Sequence, residues 1–258
     1  MIKEISSKDN RIFKECQKLS QKKYRDREGL YLIEGENLLA EAPFAQVHYI
    51  VCRKGQENLI PSALKTQQIY VMEEKLFDKV AQTETSQGIM AAIKKQTYSL
   101  EELECLCGTG ANLVVLDRLQ DPGNIGTILR TAEGAGYAAA VIVKGTGDVY
   151  SPKTIRSAAG SVFRIPIIHV EDNRELRKLA DSLGKRLAVT CFDTDNYYFD
   201  VDLSRDTALV IGNEGNGVSP ELIEMADIKV KIPMKGRLES LNASVAAGIL
   251  MYEAARRQ

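Results

Sequence analysis

From residue 112 onward, short apolar runs alternate with amphipathic stretches. "NLVVLDRL", "AAVIVK", "SVFRIPIIHV", "RLAVTCF", "TALVIG" and "DIKVKIP" read as buried strands. Between them, "NIGTILRTAEGAG", "SPKTIRSAAG", "NRELRKLADSLG" and "SPELIEMA" read as helices, with a Ser-Pro start at Ser151 and a stop at Gly184. A long helix is predicted from Ser240, capped there or at a neighbour, with Asn242 in its first turn and Leu241, Val245, Ile249 and Tyr252 as its core stripe. Strands alternating with helices predict a parallel sheet covered on both faces. Ligands on such sheets bind beyond the carboxyl ends of strands, where strand order reverses.

The front of the chain has a different texture. "RIFKECQKLSQKKYR" predicts one amphipathic helix with Ile12, Cys16 and Leu19 on its apolar face. Arg11, Lys14, Lys18, Lys22 and Arg25 recur at spacings of three and four on another face, either a solvated stripe or an RNA contact. "VHYIVC", "QIYVM" and "GIMAAI" read as strands, and "EEKLFDKVAQ" as a helix. The expected organisation is a small α/β module over residues 1–97, a linker with a short helix over 98–110, and an α/β domain over 111–258.

Composition narrows the class. The chain has 258 residues, 44% of them hydrophobic, enough for one large domain or two modest ones. It has no run of about 18 apolar residues, and its charged start lacks the apolar core of a signal peptide, so neither a membrane span nor export is expected. Five cysteines cannot all pair internally, and the lone C-x-C of Cys105 and Cys107 has only His48 and His169 to assist it. No metal site is expected; reduced thiols and a cytoplasmic location are. The net charge of −1 hides an asymmetry: 16 basic against 13 acidic residues through residue 98, then 18 against 22. Residues 8 to 27 hold eight basic and three acidic side chains, so a polyanion would dock at the front.

Three strand-end loops carry candidate chemistry: "LQDPGNIGTILRTAEGAGY", "IGNEGNGVSPE" and "IPMKGRLESLNASVAAGI". A dinucleotide fold needs G-x-G-x-x-G directly after its first strand, and "DPGNIG" has the wrong spacing. A Ser-His-Asp hydrolase is equally poorly served, because both histidines lie outside the glycine loops. "GNEGNGVSPE" also lacks the lysine that phosphate cradles carry.

In this order, "N-x-G-x-x-x-R-x-A-E", "GNEGNGVSPE" and "IPMKGRLESLNASVA" resemble the three signature motifs of the SpoU/TrmH family of RNA ribose methyltransferases, in the SPOUT superfamily. The front module, with "YLIEGENLLAEA", resembles the substrate-binding domain of the rRNA-modifying branch. Ala135 stands where the family often has a bulkier aromatic, and Ala243 where valine is frequent; neither change removes a chemical group. The resemblance implies a trefoil-knotted α/β fold, S-adenosylmethionine as cofactor, and a homodimer whose active site borders the subunit interface. It also implies cofactor contacts at Gly212, Ile232 and Leu241, with Thr190 and Met234 beside them. A sulfonium ligand without phosphate suits main-chain contacts and no lysine cradle. Arg130 matches the family's catalytic arginine. Its guanidinium stays protonated, so it would grip a phosphate and stabilise developing alkoxide charge; the plain alternative is a helix salt bridge to Glu133. Asn124 would orient the loop or the ribose, and Glu214, Ser240 and Asn242 would complete the site. The implied reaction is methylation of a ribose 2′-hydroxyl, most readily in ribosomal RNA. The same reaction on tRNA, or a non-catalytic RNA-binding assembly factor, are the alternatives.

Overall fold

A computed structural model describes residues 2–83 and 85–258. In chain order its elements are β1 (Ile2–Ile5), α1 (Arg11–Leu19), α2 (Lys22–Glu28), β2 (Leu30–Glu34), α3 (Glu36–Glu41), β3 (Val47–Arg53), β4 (Ile69–Met72), α4 (Glu74–Phe77), β5 (Ile89–Lys94), α5 (Leu100–Leu106), β6 (Leu113–Leu116), α6 (Pro122–Gly134), β7 (Ala139–Val143), α7 (Pro152–Ala158), β8 (Ile167–Val170), α8 (Asn173–Ser182), β9 (Arg186–Thr190), β10 (Thr207–Ile211), α9 (Pro220–Glu224), β11 (Ile228–Val230) and α10 (Ala243–Arg256). Two compact units divide them. Unit 1 takes the chain up to Lys95 together with Tyr150–Phe163, and unit 2 takes Gln96–Val149 and Arg164–Gln258. Among the described residues no helix is long and apolar enough to cross a membrane.

Unit 1 is a mixed sheet in the order β1-β4-β3-β5-β2. Side chains alternate across a strand. On β2, Leu30 and Leu32 therefore join Phe13, Cys16 and Leu19 of α1 and Tyr49 and Val51 of β3 in one core. Tyr31 points to the opposite face, where its ring lies 4.6 Å from that of Tyr150. This contact, with the Lys95 ammonium 4.7 Å from the Tyr150 ring centroid, is among those that tie a segment from the middle of the chain to the front unit.

The single basic helix expected over residues 11–25 is two helices. Gln21 is extended (φ −104°, ψ 134°) and separates α1 from α2. Arg25 is buried, and its Nη1 donates to the Leu19 carbonyl at 2.7 Å, closing the end of α1. Arg25 thus leaves the predicted RNA-binding stripe: it caps a helix instead of facing solvent. Arg11, Lys14, Lys18 and Lys22 are exposed.

Unit 2 is a six-stranded sheet, parallel throughout, in the order β11-β9-β10-β6-β7-β8. The strands β6, β7 and β8 step to one edge, while β10, β9 and β11 lie on the other side. The β6–β10 boundary is where the order reverses, and ligand sites on such sheets lie beyond the carboxyl ends of strands at that point. The expected linker over 98–110 is part of this unit. A capping box between Ser99 and Glu102 starts α5, and Leu103 and Cys107 enter the core with Leu113, Val115 and Leu176. The strand expected over "SVFRIPIIHV" forms only at Ile167–Val170, and the helix over "EEKLFDKVAQ" only at Glu74–Phe77.

The terminal helix corrects two expectations. It starts at Ala243, and its N-cap is Asn242, whose Oδ1 accepts from Ser244 N at 2.9 Å and Val245 N at 3.3 Å. Ser240 lies outside the helix. The buried face is Ala243, Ala247, Leu250, Met251 and Ala254, while Val245 and Tyr252 are 51% and 55% exposed. Of the expected core stripe, Val245 and Tyr252 face outward, while Leu241 and Ile249 are half-buried; the Tyr252 hydroxyl reaches α6 beside Gly134, and Gly248 faces Thr131.

Candidate active site

The loop after β10 is built by its own backbone. Asn213 N donates to the Gly217 carbonyl and Gly217 N to the Asn213 carbonyl, both at 2.9 Å. The Asn213 Oδ1 accepts from Gly215 N and Asn216 N at 3.0 Å each, and its Nδ2 donates to the Arg118 carbonyl at 2.8 Å. A Cβ on Gly212 would lie 2.2 Å from Gly217 C and Val218 N, so only glycine fits there. Gly217 has φ +66°, which also favours glycine. Gly215 has neither constraint: its Cβ position is 3.7 Å from the nearest atom, the Asn213 Oδ1.

A chain of side-chain hydrogen bonds joins the three candidate loops. The Asn242 Nδ2 donates to the Asn124 Oδ1 at 2.9 Å, and the Asn124 Nδ2 donates to the Glu214 Oε1 at 3.1 Å. Because Asn242 uses its oxygen as the α10 cap, its amide nitrogen is the group left to face Asn124; the amide orientations follow from the network. Glu214 also accepts from Gln120 N and Asp121 N at 3.1 Å each. Burial pushes the Glu214 carboxyl up. Donors from its own backbone, Asn124, Asp121 and Gln120 outweigh that effect and hold it below its ordinary value, so it is an ionised acceptor at neutral pH. Asp121 in turn caps α6, accepting from Asn124 N at 2.9 Å, with Pro122 at the first helical position.

Beside this relay lies a cleft of about 580 Å³, ordinary for a small-molecule site. Gly212, Thr190, Ile232, Met234 and Leu241, all five cofactor candidates, line it, with Glu214, Ser240 and Asn242. The Thr190 hydroxyl donates to the Val210 carbonyl at 3.2 Å, pinning the end of β9 to β10. The charged side chains in the wall are Glu214, Glu239 and Lys231. Two carboxylates against one ammonium, with exposed main chain from a glycine loop, suit a cationic nucleoside better than a phosphate.

Residues 111–252 match the model of the SpoU rRNA Methylase family. The chain belongs to this family. Residues 10–91 match an MRM3-like substrate binding domain. A 23S rRNA (guanosine(2553)-2′-O)-methyltransferase of Bacillus subtilis is 38% identical over 97% of this chain and 98% of its own length. A 23S rRNA (uridine(2479)-2′-O)-methyltransferase of Streptomyces viridochromogenes is 32% identical over 76% of this chain and 69% of its own length. Among solved structures, an AdoMet-bound rRNA methyltransferase of Sinorhizobium meliloti superposes with a TM-score of 0.87 at 30% identity, covering 99% of this chain and 98% of that one. The SpoU methyltransferase AviRb of Streptomyces viridochromogenes, in complex with AdoMet, gives 0.84 at 28% identity over 96% and 98% of the two chains.

Within this SpoU chain, the structure joins Asn124, Glu214 and Asn242 directly and sets Ser240 in the same wall. Arg130 stands apart. It is exposed on α6, outside the cleft lining, with no hydrogen bond or ion pair among the described residues. The salt bridge to Glu133 is absent there: Glu133 instead accepts from the Arg164 Nε at 3.0 Å. Asp117 and Arg118 carry no motif signal in the sequence. Asp117 is fully buried, accepts from Ser219 N at 2.7 Å and pairs with the Arg118 Nε at 3.1 Å. Arg118 adopts φ +57°, unusual for a residue other than glycine. The run "NLVVLDRL" marked both only as a strand end. The "DP" of "QDPGN" was a readable helix start, with aspartate as cap and proline first.

Proposed function

We propose that this chain transfers the methyl group of S-adenosylmethionine to a ribose 2′-hydroxyl of ribosomal RNA. The observation that carries this reading is the Asn242–Asn124–Glu214 relay, which fixes three strand-end loops around one cleft. The residues present fit the cofactor. Gly212 and Gly217 keep the loop backbone bare, the wall is mixed apolar and polar, and its net charge favours a cation. When bound, the cofactor supplies an electrophilic methyl on a sulfonium.

The protein's own task is alignment. Holding nucleophile and electrophile in line supplies much of the rate of such a displacement. Glu214 fixes the loop at Gln120–Asn124, and that loop starts α6, the helix bearing Arg130. Arg130 presents a planar fork of N–H donors, suited to grip an RNA phosphate and stabilise charge developing on the ribose oxygen. It is not a proton acceptor. Leu241, Ile232 and Met234 supply the apolar wall, Thr190 pins the strand end, and Ser240 offers a hydroxyl at the cleft.

Unit 1 docks RNA in this reading, through Arg11, Lys14, Lys18 and Lys22; the match over residues 10–91 to a substrate-binding domain supports it. The exposed Val245 and Tyr252 on α10 are the surface for a homodimer. The trefoil knot stands on the same footing, supported by likeness to the solved family structures, and a cytoplasmic location goes with ribosomal RNA as substrate.

The test uses labelled S-adenosylmethionine and RNA from cells lacking the protein. Label should enter the ribosomal RNA fraction and not tRNA, and Arg130→Ala should lower the rate by about a hundredfold or more while cofactor affinity holds. Transfer to tRNA alone would move the substrate assignment. Undiminished turnover in the variant would take Arg130 out of the mechanism.

A further inference from the structure

At the mouth of the cleft, beyond the residues assigned above, stands an unused aromatic ring. β9 ends at Thr190, and the chain turns through Phe192, whose carbonyl accepts from Thr194 N at 3.1 Å. The segment after the turn is then tied to the edge of the sheet. Lys231 N donates to the Asn196 carbonyl at 3.0 Å, Tyr198 N to the Lys231 carbonyl at 3.1 Å, and the Asn196 Nδ2 to the Lys229 carbonyl at 3.2 Å. Phe192 is thus presented from a loop held at both ends. It lines the cleft and is 73% exposed, more than any other large apolar side chain among the described residues. An exposed ring on a fixed support marks a contact surface.

The surroundings name the partner. The Lys231 ammonium, also in the cleft wall, lies 5.4 Å from the Tyr197 ring centroid, and Tyr197 stacks on Phe199 at 5.4 Å. The loop between the lining residues Met234 and Glu239 carries Lys235 and Arg237, both exposed and without an ion pair among the described residues. Asp193 and Asp195 follow Phe192 in its own loop, so the cationic side of the mouth is the 231–237 segment. Rings interleaved with unpaired cations are the recognition chemistry of single-stranded nucleic acid, where bases stack and the backbone tracks the charges.

We infer that Phe192 is a stacking platform for an unpaired RNA base next to the target ribose, with Lys231, Lys235 and Arg237 taking the adjoining backbone. The inference rests on the methyltransferase reading of the cleft, and it adds an RNA-contacting surface on unit 2, whereas overall charge pointed only to the front of the chain.

The sequence contains no tryptophan, so Phe192→Trp places a sole reporter at this position. Ribosomal RNA from cells lacking the protein should quench its fluorescence, and S-adenosylmethionine alone should not. In the full chain, Phe192→Ala should raise KM for that RNA about tenfold with cofactor Kd unchanged, and Phe192→Trp should retain the wild-type KM. Quenching by the cofactor alone would assign the ring to the cofactor and overturn the inference. So would a missing RNA quench, an unchanged KM in Phe192→Ala, or a tryptophan variant as impaired as the alanine one. Quenching by RNA from a protein that transfers no methyl group would leave the platform standing and remove the enzyme reading instead.

Discussion

Gly212 shows how one missing side chain shapes the site. A methyl group there would sit at 2.2 Å from the backbone at Gly217 and Val218, much closer than van der Waals contact allows. The loop would have to open, and its main-chain groups would leave the cleft wall. Gly212→Ala should therefore weaken S-adenosylmethionine binding by about tenfold or more, read by calorimetry, because pre-organised backbone is what binds. Gly215→Ala is the internal control and should bind normally, since its Cβ position meets only the Asn213 Oδ1 at 3.7 Å. Equal affinities for wild type and Gly212→Ala would show that the loop's shape is not what holds the ligand. The two glycines look alike in "GNEGNG"; only the closed loop distinguishes them. Asn124 and Asn242 stood out as motif positions, but their hydrogen bond, between residues far apart in sequence, was not legible. Ser240 and Asn242 are both good N-cap types, so type alone could not choose between them.

Elements were legible where a strong period met a clear stop, as in α8 with its Gly184 end. Two failures have physical causes. The break between α1 and α2 falls at Ser20–Gln21, with no glycine or proline to announce it, and Arg25 stabilises the break by capping α1 from a distance. On α10, the spacing of Leu241, Val245, Ile249 and Tyr252 pointed to one face, yet the helix is apolar on more than one side and buries Ala243, Ala247, Leu250, Met251 and Ala254 instead, so periodicity alone could not choose the face. The corrected stripe makes the RNA prediction sharper. Lys14 already pairs with Asp9 at 2.9 Å, and the Lys18 ammonium lies 5.9 Å from the Tyr24 ring centroid, both weak surface contacts that a phosphate can replace. Reversing charge at Lys14, Lys18 and Lys22 should weaken RNA binding and reduce the slope of log affinity against log salt by roughly one unit per lost phosphate contact. Reversing Arg25 should instead destabilise the fold. Identical salt slopes before and after the triple change would return α1 and α2 to being a solvated surface.

For the whole molecule, unit 2 alone holds the cleft, the relay and Arg130. The α/β class and the strand-end position of the site followed from periodicity. The exchange of Tyr150–Phe163 into unit 1 did not, because the contacts that hold it, such as Tyr31–Tyr150 and Lys95–Tyr150, join segments distant in sequence. The outward face of α10 carries the assembly prediction. Val245→Asp should shift a dimer to monomer in sedimentation at micromolar concentration; a wild-type protein that sediments as a monomer would remove that surface from the account.

Methylation of a ribose oxygen leaves a chemical mark that alkali reveals. Alkaline cleavage of RNA needs a free 2′-hydroxyl to attack the neighbouring phosphate, and a methylated one cannot. Ribosomal RNA labelled by this protein and then hydrolysed should hold its label in one alkali-resistant dinucleotide. Label released in mononucleotides would place the methyl on a base and contradict the account.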